Sequence, residues 1–534
     1  MAALTRLYSA NDPTSPSVQS EAGVDAGGGE REPIADTEFA EQYRLARKCW
    51  AARLFEAATA AAWKAHDAAP QNRRGKALLA ELLSRKPSTI EPDRAAALLR
   101  FLHDPEIEPE SISTAGWILL HRTDGLAQVA PSDIEFESLA ARLENLDLAQ
   151  ALLRESIVMY REAEQSLTRV RRWLLNSGQW RRYPRLVDAL AIQAALNGGA
   201  WPFDEKEHTL LGTLDGTRIK AAYLTRSDVP VCSSLSVTHE VTRAVAQQYE
   251  RWPYPAWRRL TVRRRKDLPD VIRKVDPASE EYLPVHADIL VAGCGTGADA
   301  ADISLTFPDA RVTAIDISDA SLRYAQRQCT AAGAPNIHFA QLDLHNVAEL
   351  GQEFDAINCT GVLHHLPDPE RGWATLTAVL RAGGVMRISV YSRIARLPMV
   401  AARNLIRDLL DEPISDDLLR RVRQRLLDHP LNKWLLEWRD FFTLSGVHDL
   451  LLHRHEDPFD IPRIARALDQ LGLRLLSFSL PTPDAAARYD KQFPTDPLHR
   501  DFKSLLQFEK SEPYIFAGLY QFWCRKPNRK ADNL

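Results

Sequence analysis

The sequence predicts an α/β fold in which an open, mostly parallel sheet follows an all-α region. Residues 287–392 alternate short apolar runs with helical patterns, which is typical of repeated strand–helix units. A glycine-rich turn, Gly293-Cys294-Gly295-Thr296-Gly297, follows the first apolar run, and Asp316 ends the second. Because ligands bind at the carboxyl ends of the strands in such sheets, the turn and Asp316 indicate a binding crevice.

Each predicted strand is a short apolar run that is bounded by turn residues. Glycines after the first strand let the backbone bend sharply and let a ligand approach it closely. The carboxylate of Asp316 follows Gly297 by 19 positions, about where an acid that binds ribose belongs. The predicted parallel strands are 288–292, 311–315, 336–342, 354–359 and 385–391, with helices at 320–331 and 373–380.

The region before the sheet is predicted to be helical over residues 37–200, because Ala and Leu are abundant and Gly is sparse. Its first helical pair resembles a tetratricopeptide repeat. Small residues at Ala46, Ala58 and Ala65 allow close helix packing, and Pro70 ends the second helix. The remaining predicted segments are a disordered tail at 1–36, a connector at 201–241 and a short tail at 529–534.

Composition and charge argue against several broad classes of protein. Hydrophobic residues make up 45% and charged residues 26% of the 534 residues, which is ordinary for a globular protein. A net charge of −4 gives no global attraction to nucleic acid, and no apolar stretch is long enough to span a bilayer. The six cysteines lack metal-clip spacing and the first residues lack a secretory leader, so a cytoplasmic protein with reduced thiols is expected.

A local run of His448, His453, His455 and Glu456 contains residue types that bind metals. Neither an extended nor a helical backbone brings these side chains simply onto one ion. No cysteine joins them, so no metal site is predicted.

From the glycine turn to the fifth strand, the sequence resembles the class I S-adenosylmethionine-dependent methyltransferases. Asp316 resembles the acid that binds the ribose hydroxyls in this family, and Asp343 resembles the acid that contacts the adenine amino group. Many members carry an acid two residues before the first glycine, where Val291 stands here, so the methionine amino group needs another partner. The resemblance implies cofactor-binding residues in the turn and at the following strand ends. They are Gly293, Cys294, Gly295, Gly297, Asp316, Ile317, Asp343, Leu344 and Thr360.

The resemblance also implies the architecture of a whole domain at residues 242–528. This domain would be a Rossmann-like seven-stranded sheet that ends in an antiparallel pair, strands 473–480 and 514–525. Helical lid insertions are expected at about 393–458 and 481–513. The arrangement is similar to bacterial proteins that join a tetratricopeptide-like region to a methyltransferase domain.

The resemblance places the loop after the fourth strand beside the methyl acceptor. Since a sulfonium methyl group is already electrophilic, catalysis is mainly positional, and a base is needed only for a protonated acceptor. His364 and His365 are the candidate bases, because imidazole titrates near neutrality. Tyr391 is a candidate pocket residue. For both histidines, a purely structural role is the alternative.

The sequence leaves the acceptor open between a small molecule and a protein side chain. The helical region is a candidate docking surface for a protein partner or, equally, a scaffold. One alternative function is an interaction scaffold that binds S-adenosylmethionine without turnover. Another is a nicotinamide-dependent oxidoreductase, because Gly293-x-Gly295-x-x-Ala298 fits a dinucleotide fingerprint variant. The second acid at Asp343 argues against the oxidoreductase.

Overall fold

The computed structural model describes residues 37–528 except 86, 89, 124–125, 127–131, 215–216, 224–238, 262–264, 278–282 and 335. The tails predicted at 1–36 and 529–534 lie outside the described residues, as does much of the predicted connector. The described chain divides into two compact units, 37–223 and 239–528. Trp201 and Tyr223 are buried in the core of the first unit, so this unit extends beyond residue 200.

The first unit is built from helices, and its described residues contain no strand, which confirms the predicted all-α region. The first two helices pack together, and Ala46, Ala58 and Ala65 are at most 1% exposed. Side chains this small allow close approach of helix axes. The helices of this unit are Thr37–Ala51, Phe55–Ala68, Arg73–Ser84, Ala95–His103, Pro109–Thr123, Asp133–Asn145, Asp147–Glu155, Arg161–Ser177, Pro184–Asn197, Glu205–Gly212 and Arg218–Ala221.

The second unit is built on a seven-stranded sheet, which confirms the predicted fold class. Its strands are β1 Asp288–Ala292, β2 Arg311–Asp316, β3 Ile337–Gln341, β4 Phe354–Thr360, β5 Leu380–Tyr391, β6 Arg474–Ser479 and β7 Leu519–Arg525. The strand order is β3-β2-β1-β4-β5-β7-β6. The first five strands are parallel, and β7 runs antiparallel to both β5 and β6.

The register of the central strands brings their carboxyl ends to one edge. Every residue of β1 is buried, as expected for a strand that is covered on both faces. Val291 pairs with Ala314 of β2 on one side and with Asn358 of β4 on the other. The glycine turn, Asp316 and the loop after β4 therefore all begin at the same edge of the sheet.

Eleven α-helices are described in the second unit, and three predicted boundaries there are wrong. The helix expected at 373–380 begins at Pro369, because the Asp368 side chain caps it by accepting the Arg371 N–H at 2.9 Å. β5 begins at Leu380, five residues before its predicted start, and β7 begins at Leu519, five residues after its predicted start. The helices are Glu240–Arg251, Leu268–Val275, Ala298–Thr306, Asp319–Ala331, Pro369–Ala378, Leu397–Asn404, Asp416–Asp428, Leu444–Leu452, Ile461–Gln470, Pro483–Gln492 and Phe502–Ser511.

The segment 393–458, called here the insertion, follows β5 and contains three of these helices. Its aromatic residues Trp434, Trp438, Phe441 and Phe442 are at most 9% exposed. They therefore form the core of the insertion rather than an open platform for a ligand. In the described part of the chain, helices are too short or too polar to serve as membrane spans.

An ion cluster around the buried Asp276 joins the segment before β1 to β6, β7 and the connection between them. The Asp276 carboxylate accepts hydrogen bonds from Arg474 at 2.7 Å and Arg500 at 3.1 Å, and Arg525 Nε lies 3.8 Å away. Burial raises the pKa of Asp276, but the guanidinium groups lower it further, and the net direction is downward. The ionised carboxylate is therefore the common partner of three cations.

We predict that Asp276→Asn destabilises the second unit by about 3–5 kcal/mol, because three guanidinium groups lose their shared negative charge. Denaturant unfolding at pH 7 measures the change. Asp469→Asn, which alters an exposed carboxylate on the helix Ile461–Gln470, is the matched control. It is expected to change stability by less than about 0.5 kcal/mol. Equal stability of the two variants would contradict the structural role of Asp276.

Candidate functional site

The turn after β1 requires glycine for both its conformation and its space. Gly293, Gly295 and Gly297 have φ values of +70°, +52° and +86°, in the region that side chains disfavour. A Cβ on Gly293 would lie 2.4 Å from a methyl group of Val362. A Cβ on Gly297 would lie 2.7 Å from the Cβ of Ala325. The turn can thus present a bare backbone to a ligand.

Asp316, the last residue of β2, binds this turn directly. Its Oδ2 accepts the Gly295 N–H at 2.7 Å, and its Oδ1 accepts the Ser318 N–H at 2.9 Å. Burial raises the pKa of Asp316, although the backbone donors oppose that change. Backbone donors at Gly295, Ile317 and Ser318 therefore hold this carboxylate at the end of β2.

A second carboxylate holds the loop that follows Asp316. Glu250, in the helix Glu240–Arg251, accepts the Ser318 hydroxyl at 2.9 Å and the Ala320 N–H at 3.0 Å. The sequence analysis did not identify Glu250. Its adjacency to the aromatic segment at 252–257 was the available signal.

The aromatic segment 252–257 packs on the glycine turn. The Thr296 hydroxyl donates to the Pro255 carbonyl at 2.5 Å, and the Trp257 indole N–H donates to the Thr296 carbonyl at 2.8 Å. The Tyr254 carbonyl lies 3.0 Å from where a Cβ on the middle glycine would be. This segment fixes the backbone of the turn from the side opposite β2.

The other predicted cofactor residues of strands β3 and β4 lie at the same edge. Asp343 is half-buried, and its Oδ1 accepts the His345 N–H at 2.9 Å, which caps a short helix that begins at Leu344. Leu344 is 6% exposed and packs in the hydrophobic core. Thr360 ends β4 and is half-buried. Asp343 is therefore one strand away from Asp316, whereas Leu344 is mainly a core residue.

Cys294 and Ile317 lie beside these groups. The Cys294 N–H donates to the Ile315 carbonyl at 2.9 Å, and burial raises the pKa of the Cys294 thiol. A neutral, buried thiol is a poor nucleophile. Ile317 is half-buried, and its carbonyl accepts the side-chain amide of Gln341 at 3.1 Å.

Two adjacent histidines after β4 are held in opposite tautomers. The Tyr391 N–H donates to His364 Nδ1 at 3.1 Å, so the neutral His364 ring carries its proton on Nε2. His365 Nδ1 lies 2.8 Å from the His455 carbonyl, which only accepts, so His365 carries its lone pair on Nε2. Burial lowers the pKa of His364, and it lowers the pKa of His365 to about 4. His365 is thus a neutral base and His364 a neutral donor.

The insertion brings a carboxylate against this loop. Asp449, in the helix Leu444–Leu452, accepts the Tyr249 hydroxyl at 2.7 Å and lies 3.4 Å from the Tyr391 hydroxyl. Burial raises the pKa of Asp449 from its ordinary value of 3.8 to about 7. Sequence reasoning missed Asp449, since no local pattern signals a contact between residues 200 positions apart.

His365, Asp449 and His453 each place one potential ligand atom within 4.8 Å of the others. The sequence does not reveal this group of three residues, because His365 comes from the loop after β4 and the other two come from the insertion. His453 Nδ1 accepts the His455 N–H at 3.1 Å, so the proton of the neutral His453 ring is on Nε2. His453 Nε2 lies 3.1 Å from the Tyr249 hydroxyl. A metal needs an unprotonated nitrogen, so these bonds favour a hydrogen-bond network over an ion.

A surface cavity of about 510 Å³ is lined only by residues of the insertion, among them Leu409 and Arg421. None of the predicted site residues lines it. This cavity therefore does not mark the candidate site.

Residues 289–384 match a family model described as a methyltransferase domain. An uncharacterised protein of Synechococcus sp. is 39% identical over 204 residues, which cover 36% of this chain and 48% of that protein. A ubiquinone biosynthesis O-methyltransferase of Chromobacterium violaceum is 30% identical over 136 residues, covering 24% of this chain and 57% of that enzyme. The solved structure of PKMT2 from Rickettsia typhi in complex with AdoHcy is 18% identical, with a TM-score of 0.34 over 49% of this chain and 54% of that one. The chain spans about half the length of these curated relatives.

We predict that Asp449→Asn stabilises the protein at pH 8 by about 2–4 kcal/mol and leaves its stability at pH 4 unchanged. An acid whose pKa is higher in the folded than in the unfolded state destabilises the fold as pH rises from about 4 to about 7. The reason is that this acid ionises at a lower pH in the unfolded chain. Thermal unfolding at both pH values tests this. Asp408→Asn, an exposed site in the insertion, is the control. A variant less stable than its parent at pH 8 would contradict the prediction.

Proposed function

We propose that this protein transfers a methyl group from S-adenosylmethionine to an acceptor by in-line displacement. The observation that carries the proposal is the hydrogen bond between Gly295 N–H and Asp316, which joins the glycine turn to the acid at the end of β2. Both residues lie inside the stretch that matches a methyltransferase domain. That match favours a methyltransferase over the nicotinamide-dependent oxidoreductase.

The residues at the sheet edge fit S-adenosylmethionine as the methyl donor. The Asp316 carboxylate, held beside the turn at the end of β2, suits the ribose hydroxyls, and Asp343, just after β3, suits the adenine amino group. The turn at Gly293 and Gly295 excludes side chains, so its backbone would contact the methionine part. Thr360, at the end of β4, would border the same part of the donor.

When bound, S-adenosylmethionine supplies an electrophilic methyl group. The chain must then orient the acceptor, exclude water and remove a proton where the acceptor carries one. His365 suits the last task, because the His455 carbonyl fixes its proton on Nδ1 and leaves Nε2 free to accept. His364 Nε2 carries a proton and has no partner among the described residues, so it is a donor to the acceptor. The Tyr391 ring, centred 3.9 Å from the His364 ring, forms a pocket wall.

The helical unit is, on this proposal, a tetratricopeptide-like docking surface for a protein partner. Its support is the all-α architecture and the close packing of the first two helices through alanines. We further propose a cytoplasmic location in a bacterium. The alternative is a scaffold that binds S-adenosylmethionine without turnover. Activity measurements would distinguish it from a methyltransferase.

We predict that Asp316→Asn weakens S-adenosylhomocysteine binding by about 10- to 100-fold, because charged acceptors for two hydroxyls are lost. Isothermal titration calorimetry measures the affinity. Asp309→Asn, which changes an exposed carboxylate just before β2, is the control and should bind like the parent. Unchanged affinity in Asp316→Asn, with the parent binding S-adenosylhomocysteine, would remove the basis of the site assignment. Binding of nicotinamide dinucleotides instead would favour the oxidoreductase.

We predict that His365→Gln slows methyl transfer by about 10²- to 10⁴-fold and changes S-adenosylhomocysteine affinity less than about twofold. The substitution removes the lone pair that accepts the proton but keeps a polar side chain. Label transfer from S-adenosylmethionine to cell extract measures the rate. His338→Gln, on the exposed side of β3, is the control. Equal rates of methyl transfer in both variants would mean that His365 has only a structural role.

A further inference from the structure

We propose that the methyl acceptor is an amine, whose ammonium group binds at Asp449 among the side chains of Tyr249, Tyr254 and Tyr391. The reaction would then be an N-methylation. This inference rests on the proposed function and specifies its substrate class. Nothing in the family match itself selects an amine.

The first argument is that Asp449 is a buried carboxylate without a cation. It is 3% exposed, and among the described residues no Lys or Arg forms an ion pair with it. Buried charges are normally paired, as Glu456 is by Arg403 at 2.9 Å and by Arg396. Asp449 receives only phenol donors, from Tyr249 at 2.7 Å and from Tyr391 at 3.4 Å. A cationic ligand would supply the missing charge.

A second and independent observation is the unused lone pair of His365. This residue is 5% exposed, and no described residue donates to its Nε2. One of its ring nitrogens lies within 4.8 Å of an Asp449 oxygen. An ammonium group carries several N–H donors, so it would satisfy Asp449 and His365 together.

The neighbouring histidines add no positive charge. Burial lowers the pKa of His364 and His453, and it lowers the pKa of His448 to about 3. All of these rings are therefore neutral at pH 7. Arg396 lies 4.5 Å from the Tyr391 ring centre, but Glu456 neutralises it. After the larger effect of burial, Asp440 and Glu456 raise the pKa of Asp449, whereas Arg396 lowers it.

Three tyrosines complete the environment of a cation site. The Tyr254 hydroxyl donates to Asp440 at 2.7 Å, and both Asp449 and Tyr391 act on Tyr254 electrostatically. The faces of phenol rings attract cations, and the Tyr391 ring already has the Arg396 guanidinium over it. Tyr249 is close enough to both Asp449 and Asp316 for each carboxylate to raise its pKa, after the larger effect of burial.

This arrangement disfavours an acidic acceptor. A carboxylate or phenolate at the same position would face the Asp449 charge, with Asp440 nearby, and like charges repel. For an amine, the steps balance as follows. An ammonium N–H gives its proton to His365 Nε2, and the freed nitrogen lone pair forms the new N–C bond. The C–S bond breaks with its electrons passing to sulfur, so the products are a methylammonium and a thioether.

The test uses the full chain saturated with S-adenosylhomocysteine. It is titrated with n-butylammonium chloride, sodium butanoate and 1-butanol, which share one alkyl chain, and binding is followed by saturation-transfer NMR. We expect n-butylammonium to bind at least about tenfold more tightly than either other probe. Asp449→Asn should weaken n-butylammonium binding at least about tenfold and leave S-adenosylhomocysteine affinity within twofold. Asp408→Asn, an exposed carboxylate of the insertion, should change neither.

The outcomes separate the two proposals. Failure of the parent to bind S-adenosylhomocysteine would overturn the proposed function. Binding of S-adenosylhomocysteine with no preference for n-butylammonium, or with tighter butanoate binding, would overturn the amine alone. If Asp449→Asn lost affinity for S-adenosylhomocysteine as much as for n-butylammonium, Asp449 would belong to the donor site. That result would also overturn the amine proposal. The comparison of probes on the parent needs no variant, so poor folding of Asp449→Asn leaves the test decisive.

Discussion

The hydrogen bond between the Gly295 N–H and the Asp316 carboxylate is the constraint around which the sheet edge is organised. It fixes the turn after β1 against the end of β2, and it requires a positive φ at Gly295. The aromatic segment before β1 meets the same turn from the other side through Thr296. Glu250 then holds the loop after Asp316. The end of β2 and the aromatic segment are thus both positioned by contacts with one short loop.

Around this edge, polar groups are buried in a largely neutral state. Backbone partners fix the tautomers of His364 and His365, while burial keeps both rings uncharged. Asp449 is the exception, because it titrates near neutrality and has only phenol donors. Buried polar networks are costly when a member lacks a partner. The unmatched groups here are those to which the proposed function assigns substrate contacts.

The sheet could be predicted from the sequence because its signals are local. Apolar runs, the glycine turn and Asp316 each depend on neighbouring residues, and they gave the parallel strands to within a few residues, except for the start of β5. Asp449 and Glu250 could not be predicted in this way, since their contacts join residues about 70 to 200 positions apart. The tautomers of His364 and His365 likewise depend on backbone groups of distant segments. Cofactor roles for the strand-end residues remain a proposal.

The insertion after β5 separates two kinds of contact along the chain. Groups suited to a nucleoside come from β1 to β3 and the loops that follow them, whereas Asp449 and Asp440 come from one continuous stretch after β5. On the proposed function, exchange of that stretch of about 65 residues would change which acceptor is bound and leave the residues proposed to hold the methyl donor in place.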